Sequence, residues 1–217
     1  AWADFQAARQ DINLKIMGLL AERGVAVAFP SRTVLVQPAS VPDQEKDAPT
    51  DADRQPSTLV QSDDAEVVKI SQAVAAGQSD PWTVACALER HVKTTIRLKN
   101  YSTAMATAAE VARSLEGDCT EHAMLLAALC RARQIPARVA IGLVYYPAAG
   151  GFAYHMWTEV WIKDRWIPLD ATLGLGGIGG AHLKFAHSSM QGTGAYAELL
   201  PVVQALRRLK LEILSSQ

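Results

Sequence analysis

At Pro136 the apolar pattern of this chain changes period, and that change limits the folds open to it. Before it, Met124-Leu125-Leu126-Ala127-Ala128-Leu129 lies in a run that predicts a helix from Cys119 to about Arg133, and Pro136 ends any continuation. After it, Ala137 to Tyr146, Ala153 to Ile162 and Arg165 to Leu169 are rich in β-branched and aromatic residues and predict strands. Helices first and strands second indicate an α+β domain with an antiparallel sheet.

Upstream, the helix signals are specific. Asp63 or Asp64 can cap a helix running to Gly77, and Asp80-Pro81 supplies a cap and a first-turn proline for a second. Thr107-Ala-Ala-Glu110 is a capping-box pattern for a short helix stopped by Gly117. Downstream, Gly174 to Gly180 predicts a mobile glycine-rich loop, followed by a strand near His182–Phe185 and a mixed tail. The organisation expected is three-part: residues 1–37 as a helix–strand segment, 38–62 as a Pro- and acid-rich linker, and 63–217 as the main domain.

Bulk properties exclude several classes. Hydrophobic residues make up 49% and charged ones 20%, which is a globular balance. With net charge -1, nothing draws the chain toward nucleic acid. No apolar run reaches the roughly 18 residues of a membrane-crossing helix. The sequence opens on Ala1, so a leader or anchor ahead of it would not be seen, and export and a cytoplasmic location both stay open. Three cysteines make an odd count, so at least one sulfur is free.

The strongest chemical signal is Gly117-Asp118-Cys119-Thr120-Glu121-His122. A thiol at a helix N-terminus faces unpaired backbone N–H groups and the positive end of the helix dipole, which favours the thiolate. The same N–H groups can hold an oxyanion during acyl transfer. Cys86 and Cys130, mid-helix among apolar neighbours, are expected in the core. A nucleophilic thiol needs a base and the base an orienting partner. His155 lies in one predicted strand and Asp170 ends the next. A two-residue turn at Lys163-Asp164 pairs Ile162 with Arg165, and hence Trp157 with Asp170, which puts His155 and Asp170 on one face within diagonal reach. A three-residue turn would put them on opposite faces.

Gly117-Asp-Cys-Thr-Glu-His-Ala123, Arg131-Ala-Arg-Gln-Ile-Pro-Ala-Arg-Val139, His155-Met-Trp-Thr-Glu-Val160 and Trp166-Ile-Pro-Leu-Asp-Ala-Thr172 together resemble the core of the transglutaminase-like superfamily over about residues 63–190. The resemblance implies a papain-like α+β fold, with Cys119 as nucleophile, His155 as general base and Asp170 as orienting carboxylate. It implies thiol-dependent acyl transfer or hydrolysis on a peptide or protein substrate, by a protease, an amidase or a transglutaminase, without a cofactor or a metal. Asp170-Ala-Thr stands where the family often has Asp-Pro-Thr. Its second oxyanion donor comes from a side chain upstream of the cysteine, for which Asn100 and Tyr101 are the candidates. The alternative within the same fold is an inactive binding module.

A shorter stretch, Gln10-Asp-Ile-Asn-Leu-Lys-Ile16 with Gly24-Val-Ala-Val-Ala-Phe-Pro-Ser-Arg-Thr-Val34, is similar to the end of the cytoplasmic domain of small-conductance mechanosensitive channels. That likeness implies a membrane-associated assembly through the N-terminal segment. Cys119 and His122 stand at i and i+3 but lack the further pair a structural zinc site needs. His91, His182 and His187 have no partner readable from sequence.

Overall fold

The computed structural model describes residues 32–33, 47–96, 106–146, 151–192, 195 and 209–210. The chain divides into two units, Ala1–Gln37 with Ala205–Gln217, and Pro38–Gln204. In the first, strand β1 (Arg32–Thr33) pairs in parallel with β6 (Leu209–Lys210), Arg32 opposite Leu209. The expected N-terminal helix, and with it most of the channel-like stretch, lies outside the described residues.

Among the described residues the second unit holds four α-helices, α1 (Ala65–Val74), α2 (Pro81–Thr95), α3 (Ala108–Ser114) and α4 (Cys119–Ala132). Each begins where a short polar side chain accepts N–H groups of the first turn. Asp64 caps α1, Asp80 caps α2 ahead of Pro81, Thr107 and Glu110 form the capping box of α3, and Asp118 and Glu121 that of α4. Strands β2 (Ala137–Tyr146), β3 (Gly151–Ile162), β4 (Arg165–Leu169) and β5 (His182–Ser188) form one antiparallel sheet in the order β4-β3-β2-β5. The α+β architecture is therefore the one the change of period at Pro136 implies.

Helix α4 is buried without interruption from Thr120 to Arg131, with the other helices on one side and the sheet on the other. Met124, Leu125, Leu126 and Leu129 are all within 1% of full burial. At roughly 1.5–3 kcal/mol for each such side chain, packing outweighs the ~1 kcal/mol of a cap and decides where the helix sits. Two polar contacts fix it against β3. Thr158 Oγ1 donates to the carbonyl of Ala123 at 3.0 Å, and Thr120 Oγ1 meets the sulfur of Met156 at 3.4 Å. At the far end, the buried Arg131 donates to the carbonyls of Ala137 (2.9 and 2.7 Å), Ser189 (2.7 Å) and Gln55 (3.0 Å). Burial draws its guanidinium down to about 10.

The stretch 38–62 groups by contact with Pro38–Gln204, and 205–217 with the first unit. Residues 47–62 bring their own partners. Asp47 forms a two-pronged ion pair with Arg138 at 2.6 and 2.8 Å, while Leu59 and Val60 are buried in the core. Arg138 also stacks on Trp166, 3.9 Å from the ring centroid, and meets Glu159 at 2.7 Å. Short polar composition hid these few anchors. No helix among the described residues is long and apolar enough to cross a membrane.

Candidate active site

Cys119 is the first residue of α4, and the turn before it is built for that placement. Gly117 has φ +154, and a Cβ there would lie 2.2 Å from Cβ of Glu121. Only glycine lets Glu121 fold back under the turn. There its two carboxyl oxygens accept the N–H groups of Ala106 (3.0 Å) and Asp118 (2.9 Å). Burial pushes the Glu121 carboxyl up. Asp118 in turn accepts from Thr120 N–H at 2.9 Å and from the N–H of Glu121, and its carbonyl accepts from His122 N–H. In the first turn of α4 this leaves the N–H of Cys119 without a recorded acceptor among the described residues.

The β3–β4 hairpin carries the other two groups. Lys163 and Asp164 both have positive φ (51 and 60), and they form the two-residue turn that the right-handed twist of paired strands favours. Ile162 pairs with Arg165 and Thr158 with Leu169, so the register is the one that brings His155 toward Asp170. His155 Nε2 lies 2.7 Å from Asp170 Oδ2. Cys119 lies near enough to the same imidazole to help raise it. With Nε2 turned to the carboxylate, Nδ1 is the ring nitrogen left for sulfur. The three sequence candidates are thus brought together.

Electrostatics follow from this geometry. Burial disfavours charge on His155, but the hydrogen bond to Asp170, together with the influence of Asp170 and Cys119 beside it, outweighs that and pushes the imidazole up to about 9. Burial alone would raise Asp170. The hydrogen bonds from His155, Thr172 and His182, with the charge of His155, reverse that and hold the carboxyl well below the usual carboxylate range. Asp170 Oδ1 accepts from the Thr172 hydroxyl (2.6 Å) and N–H (2.9 Å).

Other expectations resolve differently. Cys130 is fully buried, and burial pushes its thiol well above the ordinary range. Cys86 is only half-buried rather than in the core, because it faces the glycine-rich loop. That loop, expected to be mobile, is tied to α2: Gly176 N–H donates to Glu89 at 2.8 Å, and Lys93 donates to the carbonyl of Thr172. Burial pushes the Glu89 carboxyl up. His122 spends Nδ1 on the Asp118 carbonyl at 2.6 Å, and burial lowers its imidazole. Asn100 and Tyr101 lie outside the described residues.

The residue that sequence reading missed is His182. Its Nε2 lies 3.0 Å from the same Oδ2 of Asp170. Ligand atoms of His155, Asp170 and His182 all fall within 4.8 Å of one another, a set chemically able to hold a metal ion. Their two short hydrogen bonds already account for that closeness.

Comparison with known families matches residues 68–171 to the transglutaminase-like superfamily. Among solved structures, a candidate cysteine protease from Cytophaga hutchinsonii aligns with TM-score 0.56 and 25% identity, over 69% of this chain and 50% of that one. The periplasmic domain of TgpA from Pseudomonas aeruginosa aligns with TM-score 0.44 and 19% identity, over 57% of this chain and 46% of that one. The chain thus spans about half the length of these proteins. Comparison with curated proteins returns no match.

Proposed function

We propose that this chain, which matches the transglutaminase-like superfamily over residues 68–171, is a thiol hydrolase that cleaves peptide or carboxamide bonds through Cys119, His155 and Asp170. One observation carries this reading: a half-buried thiol at a helix N-terminus lies beside an imidazole that a buried carboxylate holds at 2.7 Å. Three unrelated structural residues have no reason to converge in that order.

In the proposed cycle Nδ1 of His155 already carries the proton taken from Cys119, in keeping with the raised imidazole, and Sγ bonds to the substrate carbonyl carbon. The oxyanion that forms is met by the N–H of Cys119 at the head of α4. His155 returns its proton to the leaving nitrogen, the C–N bond breaks and an amine or ammonia departs, leaving a thioester. Water then adds to the thioester with His155 as base, and the acid is released as the thiol is restored. Asp170 accepts the Nε2–H of His155 throughout, fixing the tautomer and stabilising the imidazolium. An amine in place of water would give transamidation. The likeness to a candidate cysteine protease favours water.

The test is chemical. Incubation with iodoacetamide should modify Cys119 well before Cys86 and Cys130, with the advantage lost in His155→Ala. A peptide or carboxamide pool should leave an acyl adduct on Cys119, visible by mass spectrometry. Equal, slow labelling of all three cysteines would instead favour a binding module that keeps the fold without turnover.

A further inference from the structure

His182 stands in no motif, yet it meets the carboxylate at the heart of the site. A carboxylate offers about four acceptor positions. On Asp170 all four are used: Oδ1 by the hydroxyl and N–H of Thr172, Oδ2 by His155 and His182. The two imidazoles are not equivalent. His155 has Cys119 close beside it, whereas Nδ1 of His182 is buried with no partner among the described residues. Asp170 can only accept, so the ring of His182 must present Nε2–H to it. Its other nitrogen offers no route for a proton to leave or arrive. His155 is built to pass a proton and His182 to stay put.

The fold makes room for this contact deliberately. The His182 side chain is 2% exposed, and Trp157 meets it edge-on with centroids 5.3 Å apart. β5 reaches β2 through a register shift at Ile141 and Gly142. At Gly142 a Cβ would lie 1.9 Å from the carbonyl oxygen of Leu183 and 3.0 Å from the Trp157 ring. Gly142 is also the cross-strand partner of His155. A glycine beside the general base therefore lets β5 approach closely enough for its first residue to reach Asp170.

We propose that His182 is a positioning residue of the active centre, whose Nε2–H holds the Asp170 carboxylate in the orientation from which it holds His155. This rests on the thiol-hydrolase reading and adds a fourth member to its triad. Without that donor, Oδ2 keeps a lone pair facing a dry wall, and the carboxylate can turn away from His155.

The probe is iodoacetamide, because alkylation of Cys119 needs no identified substrate. Initial rates at Cys119 are read by mass spectrometry across pH for the unaltered chain, His182→Gln, His182→Leu and His155→Ala, with a melting curve for each. His182→Leu should lower the rate roughly ten- to hundredfold, the loss expected for a hydrogen bond to a charged group. His182→Gln, whose amide N–H reaches the Nε2 position, should recover most of it. A merely structural role would lower both melting temperatures and leave the rate of the folded protein unmoved. If His182→Leu does not fold, His182→Asn replaces it, since its shorter amide falls short of Oδ2; equal rates for Gln and Asn would overturn the proposal. Wild-type rates in His182→Leu alongside a slow His155→Ala would remove His182 and leave the triad standing. Wild-type rates in His155→Ala would remove the function itself. Stoichiometric zinc in the purified chain, lost in His182→Gln, would also overturn it, because the same atoms would then be metal ligands.

Discussion

The two ends of α4 each carry a cysteine and a cluster of charged side chains, and they have opposite characters. At the start, Asp118 accepts the first-turn N–H groups of Thr120 and Glu121, and Cys119 remains half-exposed beside an imidazole. At the finish, Arg131 closes on three carbonyl groups, Arg133 on three more, and Cys130 is sealed from solvent. The residue type is the same at both ends. Access to the sulfur is set by where the packing stops.

That contrast can be broken most severely at the first end. Cys119→Ala should cut hydrolysis of any substrate found by at least about a thousandfold, with the melting temperature essentially unchanged; a collapse of the fold instead would make Cys119 a structural residue like Cys130. The next largest effect belongs to the other end. Arg131→Leu strips donors from buried carbonyls and should cost about 3–5 kcal/mol in a urea unfolding curve. Cys119 alkylation in the protein that remains folded should be unaltered, and a parallel loss of both would show that the two ends are not independent. In the unaltered chain, Cys119 should alkylate at least about a hundredfold faster than Cys130, which should react only on unfolding. Comparable rates would erase the distinction.

The smallest expected effect is in pH dependence. The folded-state value of His155, about 9, lies above the ordinary value of about 6.5. Its contribution to stability is whole below pH 6.5 or so and is lost as pH rises through about 9. Asp170 has the opposite sign, contributing above the ordinary carboxylate range and losing that as pH falls through its lowered value. Asp170→Asn should flatten the alkaline loss seen in melting temperature. An unchanged profile would mean that the His155–Asp170 pair does not govern it.

Much of this was legible because it was local. Caps at Asp64, Asp80, Thr107 and Asp118 and the apolar periods announce their helices from a few neighbouring residues. The β3–β4 register followed from counting across Lys163-Asp164, although Lys-Asp is not a preferred turn pair. Long-range polar contacts left no trace. Asp47 reaches Arg138 and His182 reaches Asp170 only once β2 and its neighbours are in register, and no spacing rule encodes that. The glycine-rich loop was misjudged for a related reason, since the carboxylate that ties it, Glu89, sits on a distant helix.

The pairing of β1 with β6 joins strands of the smaller unit that stand far apart in sequence. In chain order Pro38–Gln204 is an insert between them. The entropy of gathering ends grows only with the logarithm of the intervening length, so an insert of this size is tolerated nearly as well as a short one.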